Sequence, residues 1–175
     1  MKKYIAVILF PYFILINLYF FTQSGHLSHY PSVARIFIGS VFVLANAIEL
    51  FFVIRCIIKS FKASFAENAD PLSIKHIIIT KLCQIPAYIL IFLIGFLCFP
   101  IRLGFLITLF CFIGDFWSIS ITGLLMTTAM IDSLRRGFFS KRAAVIHSIL
   151  AFIFCIDIVD GIYLLAKPPV SLQSK

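Results

Sequence analysis

Apolar residues dominate five long stretches of the chain, and short polar segments separate these stretches. A membrane-spanning helix needs about 20 apolar residues at a rise of about 1.5 Å each, so every stretch has the length of one span. The predicted spans cover residues 4–21, 33–58, 77–99, 103–131 and 143–166. The pattern therefore predicts an all-α, polytopic transmembrane helix bundle of five spans, forming a single domain over residues 1–175.

Helix start and stop signals lie between these stretches. Ser32 and Ser140 are placed to cap the second and fifth helices, and Gly137 stands where the fourth helix should end. Pro86 predicts a kink in the third helix. The first stretch begins like a signal peptide, but it is too long and no A-x-A cleavage site follows, so we expect a retained helix.

Composition supports the membrane assignment. Hydrophobic residues make up 62% of the chain and charged residues 13%, with a mean hydropathy of +1.09. Soluble domains have about 45–50% apolar and about 25% charged residues. A soluble chain of this size has too little interior to bury so much apolar surface. Both a soluble globular domain and intrinsic disorder are therefore excluded.

Lysine and arginine are distributed unevenly between the predicted loops. With the N-terminus inside, 11 of the 15 fall on the inner side, and the outer side receives only Arg35, Arg102, Lys167 and Lys175. Cytoplasmic loops carry the excess of basic residues, so the count predicts N-inside and C-outside in a bacterial inner or plasma membrane. The net charge of +8 follows from this rule and does not indicate nucleic-acid binding.

The sequence offers little support for a metal or cofactor. Its five cysteines lie in or beside apolar stretches without any CxxC pair, as expected for packing residues. His26 and His29 share a predicted outer loop and are weak candidates for metal ligands. A solvated loop is the favoured interpretation, so we expect neither a metal nor a cofactor.

Four acidic residues lie inside the predicted spans, where an ionisable group costs about 2.5–3.5 kcal/mol or more. They are Glu49, Asp115, Asp157 and Asp160. On the fourth helix, small and polar residues recur every three or four positions and form one stripe: Thr108, Cys111, Asp115, Ser118 and Thr122. We therefore expect Asp115 to face the interior of the bundle.

On the fifth helix, Asp157 and Asp160 share one face. In a continuous span ending outside, both would lie in the outer half of the bundle with Asp115, and Arg102 is the expected cation between them. Three interpretations remain open. The group is a structural network that fixes helix packing, or a site for a proton, a cation or a polar ligand, or Asp160 simply faces the water at the lipid headgroups.

Glu49 belongs to the inner half, at the depth of Lys81 on the third helix. The sequence predicts a Glu49–Lys81 pair, with Asn46 and Gln84 as its hydrogen-bonding neighbours.

The sequence carries no signature of catalysis, such as GxSxG, a Walker loop, HExxH or GxGxxG, so an enzyme is not expected. The segments KLCQIPAYILIF and FIFCIDIVDGIYL resemble small bacterial multi-pass membrane proteins without an assigned activity, and the resemblance implies no particular reaction.

The favoured function is an accessory or interaction component, in contact with lipids and with another membrane protein or a second copy. The alternatives are a small transporter or ion-conducting protein that uses the buried carboxylates, and a lipid-handling membrane enzyme.

Overall fold

The computed structural model describes residues 4–23, 32–66, 74–100, 104–153 and 156–166. The described residues fold as helices joined by turns, which agrees with the predicted all-α class. The helices are α1 (Ile5–Gln23), α2 (Ser32–Phe65), α3 (Ile74–Cys98), α4 (Gly104–Arg135), α5 (Lys141–Leu150) and α6 (Ile156–Ala166).

Three of these helices, α2, α3 and α4, are long and apolar enough to cross a membrane. The apolar part of α1, Ile5–Phe20, is shorter. Large apolar side chains are exposed along α2, α3 and α4, Phe51, Phe92 and Phe112 among them. A helical protein with such an apolar exterior suits a lipid environment, and this supports the assignment to a membrane.

Helices that follow one another along the chain run in opposite directions. On α3 and α4, Tyr88 contacts Ser118 whereas Gly95 accepts a hydrogen bond from Thr108, so the two helices are antiparallel. The stacked rings of Phe20 and Phe42 join the end of α1 to the first half of α2.

At the opposite end, Arg135 Nη1 donates a 2.7 Å hydrogen bond to the Ser64 carbonyl oxygen. The ends of α2 and α4 therefore meet. We call this the basic end, because it carries Lys59, Lys62, Arg135, Arg136, Lys141 and Arg142.

Side-chain packing divides into two regions along the bundle. The larger core lies toward the basic end, where all six helices contribute buried residues such as Val7, Val53, Ile77, Leu125 and Leu164. A smaller cluster, formed by Ile14, Leu18, Ile91 and Cys111, joins α1, α3 and α4 toward the other end. Because α5 and α6 contribute only to the first region, the bundle has more helices in its basic half.

The turn between α4 and α5 follows the predicted capping signals. Gly137 has a φ of +76°, a conformation that favours glycine. The amides of Gly137 and Phe138 donate to the carbonyls of Leu134 and Ser133, as in a Schellman motif. Ser140 then caps α5, and its side chain accepts a hydrogen bond from the amide of Ala143. Local sequence therefore decides where α4 ends and where α5 begins.

The predicted continuous helix over residues 143–166 is wrong. Helix α5 ends at Leu150. The amides of Phe152 and Ile153 then donate to the carbonyls three residues earlier, at Ile149 and Leu150, as in a 3₁₀ turn, before α6 begins. His147 Nδ1 nevertheless lies 2.6 Å from Asp160 Oδ1. In one straight helix these two positions would be separated by about 20 Å along the axis. The chain therefore reverses direction, and α5 and α6 form an antiparallel hairpin.

The tip of this hairpin lies part of the way along α4. A Cβ atom added at Gly123 would approach the Phe152 ring to 2.8 Å and the Ala151 carbonyl oxygen to 3.1 Å. Gly123 is about 18 Å along the helix axis from the end of α4 at Arg135. On the other side, Gly161 of α6 packs against Ile78 near the start of α3. Helix α6 therefore runs back toward the basic end.

Candidate functional site

A buried ion pair joins α3 to the hairpin. Lys81 Nζ lies 3.1 Å from Asp157 Oδ2, and both side chains are almost fully enclosed, with exposed fractions of 4% and 6%. The same ammonium group donates a 3.3 Å hydrogen bond to the Ala151 carbonyl oxygen. Lys81 therefore satisfies a backbone carbonyl at the break between α5 and α6, in addition to pairing with Asp157.

A second polar pair lies between the two arms of the hairpin. Asp160 follows Asp157 by one turn of α6, and its Oδ1 contacts His147 Nδ1 of α5. The imidazole ring also stacks on Tyr163 and meets Phe139 edge to face. These aromatic neighbours hold the ring in one orientation toward the carboxylate.

Beyond Lys81, one face of α3 continues with hydrogen-bonding side chains. Gln84 donates from Nε2 to the Val7 carbonyl oxygen of α1, and its Oε1 accepts a 2.8 Å hydrogen bond from the Tyr88 hydroxyl. That hydroxyl also lies 3.2 Å from Ser118 Oγ of α4. Gln84, Tyr88 and Ser118 are all buried, so this group links three helices inside the bundle.

Asp115 stands one turn from Ser118 on α4. Its Oδ1 is buried and has no hydrogen-bond partner among the described residues. The side chain lines an open crevice of about 230 Å³ between α3 and α4. Apolar and small residues form the other walls of this crevice: Ile91, Phe92, Gly95, Phe96, Phe99, Thr108, Cys111 and Phe112. Asp115 is therefore a polar group in an apolar crevice, in the half of the bundle that the hairpin does not reach.

These side chains follow one another from the hairpin to the crevice in steps of one helical turn or one direct contact. We call them the polar column: His147, Asp160, Asp157, Lys81, Gln84, Tyr88, Ser118 and Asp115. The column contains one lysine, one histidine and three carboxylates. Groups of this kind hold and pass protons, and they bind small cations.

The structure changes the predicted partners of the acidic residues. Asp157 pairs with Lys81 and Asp160 with His147, because the chain reversal carries both acids into the basic half of the bundle. His147, whose side chain is 12% exposed, is thus the partner of Asp160. Arg102, the predicted cation, lies outside the described residues.

The predicted Glu49–Lys81 pair is also wrong, because Lys81 faces the hairpin and already has Asp157. Glu49 belongs to the α1–α2 side of the bundle, where its Oε1 is buried and has no partner within the described segments. Asn46 Oδ1 accepts a 2.8 Å hydrogen bond from Asn17, and Gln84 bonds to Val7 and Tyr88. The four residues therefore do not form one group.

The described residues contain no group of three or more His, Cys, Asp or Glu side chains arranged to hold a metal ion. The weak metal candidates His26 and His29 lie outside the described residues.

A comparison with protein-family models, with curated proteins and with solved structures finds no match for this chain.

Proposed function

We propose that this protein is a small multi-pass membrane transport protein that moves protons or a small cation along the polar column. The observation that carries the proposal is the α5–α6 hairpin, which places the Lys81–Asp157 pair beside a break between two half-length helices. Ionisable residues inside a membrane mark ion pathways and proton relays. Discontinuous helices that end within the bundle form the binding sites of many transporters.

The arrangement of the column supports transport over a purely structural network. A network that only fixes helix packing gains from pairing every buried acceptor. The column instead ends at Asp115, whose Oδ1 has no donor among the described residues. An unpaired carboxylate at the end of a chain of titratable groups is suited to receive a proton or cation.

The proposed topology is four spans, formed by α1 to α4, with α5–α6 as a re-entrant hairpin that enters and leaves on the cytoplasmic side. Helices of 10 and 11 residues are too short to cross a bilayer but suit a re-entrant segment. With the C-terminus inside, Lys167 and Lys175 join the other basic residues there. Thirteen of the 15 lysines and arginines then share the cytoplasmic side, which strengthens the predicted asymmetry.

Reconstituted liposomes provide the test. With the purified protein in vesicles that contain a pH-sensitive dye, a potassium diffusion potential should drive proton uptake. A sodium gradient gives the matching cation assay. We expect Asp157→Asn and Asp115→Asn to lower the flux at least tenfold. Asp132→Asn is the matched control, since Asp132 pairs with Arg136 at the basic end, outside the column.

The second candidate is the accessory or interaction component that the sequence favours. The observation in its favour is that Lys81–Asp157 and His147–Asp160 are both closed pairs, which stabilise packing without any transported species. The liposome assay, together with a co-purification experiment, separates the two functions. If wild-type protein carries neither protons nor sodium while a membrane partner co-purifies in fixed ratio, the transport proposal fails and the accessory function stands.

A further inference from the structure

A second carboxyl group lies at a groove on the other side of the bundle. The groove runs between α1 and α2, has a volume of about 600 Å³, and includes Glu49 among its lining residues. The exposed fraction of Glu49 is 8%, and its Oε1 has no hydrogen-bond partner among the described residues. Burying a polar oxygen without a hydrogen-bond donor costs free energy, so a bound ligand that donates to this atom would be stabilised.

The other walls of the groove are apolar. They are formed by Ile5, Ala6, Leu9, Phe13, Ala45, Ile48 and Phe52. Ile5, Leu9, Ile48 and Phe52 are exposed on the outer surface of the bundle, so the groove opens toward lipid. Small-molecule sites commonly have volumes of about 300–1,000 Å³, mostly apolar walls and a few placed polar groups. The groove has all three features.

We propose that this groove binds a lipophilic amine from the bilayer, with the protonated amine donating to Glu49 and the hydrocarbon body lying against the apolar walls. Charge complementarity selects an amine, because Glu49 is the only ionisable residue among the described residues that line the groove. The site is separate from the polar column and does not depend on the transport proposal.

The size of the groove distinguishes a compact ligand from a partner helix. Its lining residues span about eight positions of α2, which is about 12 Å along the axis. A partner helix would cross about 30 Å of hydrocarbon and would need a contact surface of similar length. A phospholipid amine is a poorer occupant than a free amine, since it carries a phosphate for which the lining residues offer no cation.

Photolabelling tests this site. The probe is dodecylamine with a diazirine in its chain, added to the protein in phosphatidylcholine nanodiscs, and the labelled peptides are mapped. We expect labels on residues 5–13 and 45–52, reduced at least tenfold by Glu49→Gln. Ala45→Phe, which fills the groove and leaves Glu49 in place, should reduce labelling to a similar extent. Asp115→Asn is the matched control and should leave these labels unchanged.

Three results would overturn the proposal. Labelling that is equal in wild type and Glu49→Gln would show that the carboxyl group selects nothing. Loss of label when phosphatidylethanolamine replaces phosphatidylcholine would make the lipid headgroup the occupant. Cross-links between two protein molecules across α1 and α2, lost in Glu49→Gln, would assign the groove to a helix. If Glu49→Gln fails to fold, Ala45→Phe decides alone. Loss of the labels on residues 5–13 and 45–52 in that variant supports the site, and unchanged labels overturn it.

Discussion

Lys81 Nζ lies 3.1 Å from Asp157 Oδ2, although 76 residues separate the two along the chain. Since the same ammonium group also contacts the Ala151 carbonyl oxygen, one side chain holds both the turn after α5 and the first turn of α6. Lys81 therefore links the hairpin to α3, in addition to the His147–Asp160 pair and the close packing at Gly123 and Gly161. Substitution of Lys81 tests how much of the stability this link provides.

Lys81→Met should destabilise the folded protein by about 3–5 kcal/mol, because it leaves the Asp157 carboxylate buried without its partner. Thermal unfolding of the purified protein in detergent measures the change. Lys59→Met, at an exposed position of α2, is the control and should unfold like wild type. Combining Lys81→Met with Asp157→Leu should restore most of the loss. If the Lys81→Met single variant were as stable as wild type, Lys81 and Asp157 would not form a stabilising buried ion pair.

Gly123→Ala should destabilise the protein by about 1–3 kcal/mol, the usual cost of forcing an extra methyl group into a packed site. Its Cβ would meet both the Phe152 ring and the Ala151 backbone, so the hairpin tip has to move. Gly39→Ala is the matched control, because a Cβ there has no neighbour within 4 Å. It should be neutral or slightly stabilising in the same unfolding assay. Equal effects of the two substitutions would argue against close packing of the tip at Gly123.

A reporter fused after Lys175 should report the cytoplasmic side, because α6 returns to the basic end. A green fluorescent protein fusion is expected to fluoresce, and an alkaline phosphatase fusion at the same position should be inactive. The corresponding fusions after Arg136 provide a reference for the cytoplasmic side. Phosphatase activity at the C-terminal fusion would mean that α6 crosses the membrane, as a fifth span requires.

Asp115→Asn should change the free energy of unfolding by no more than about 0.5 kcal/mol, whereas Asp157→Asn should cost several kcal/mol. The chemical change is the same at both positions, but only Asp157 has a cationic partner among the described residues. Parallel unfolding measurements on the two variants give the comparison. A larger loss at Asp115 than at Asp157 would show that Asp115 has a structural partner and is not an open end of the polar column.

Local sequence determined the helical class and several helix boundaries of this protein. The apolar stretches have the length that helices in a membrane need, and Gly137 and Ser140 end α4 and begin α5 through bonds to residues no more than five positions away. The stripe on α4 likewise follows from the helical period, which places Cys111, Ser118 and Thr122 on one buried face. Interactions of this range can be read from a linear pattern.

Only the tertiary structure decided the reversal after α5 and the partners of the buried charges. Residues 151–155 contain neither glycine nor proline, so no local signal separates this segment from a continuous helix. The reversal is held by contacts of Lys81 with Ala151 and Asp157, which are 70 and 76 residues away, and by the His147–Asp160 pair. A buried charge takes the partner that the fold brings nearest. Depth along a predicted span identified which acids needed partners, but it could not identify those partners, because the direction of α6 was set by packing against α3.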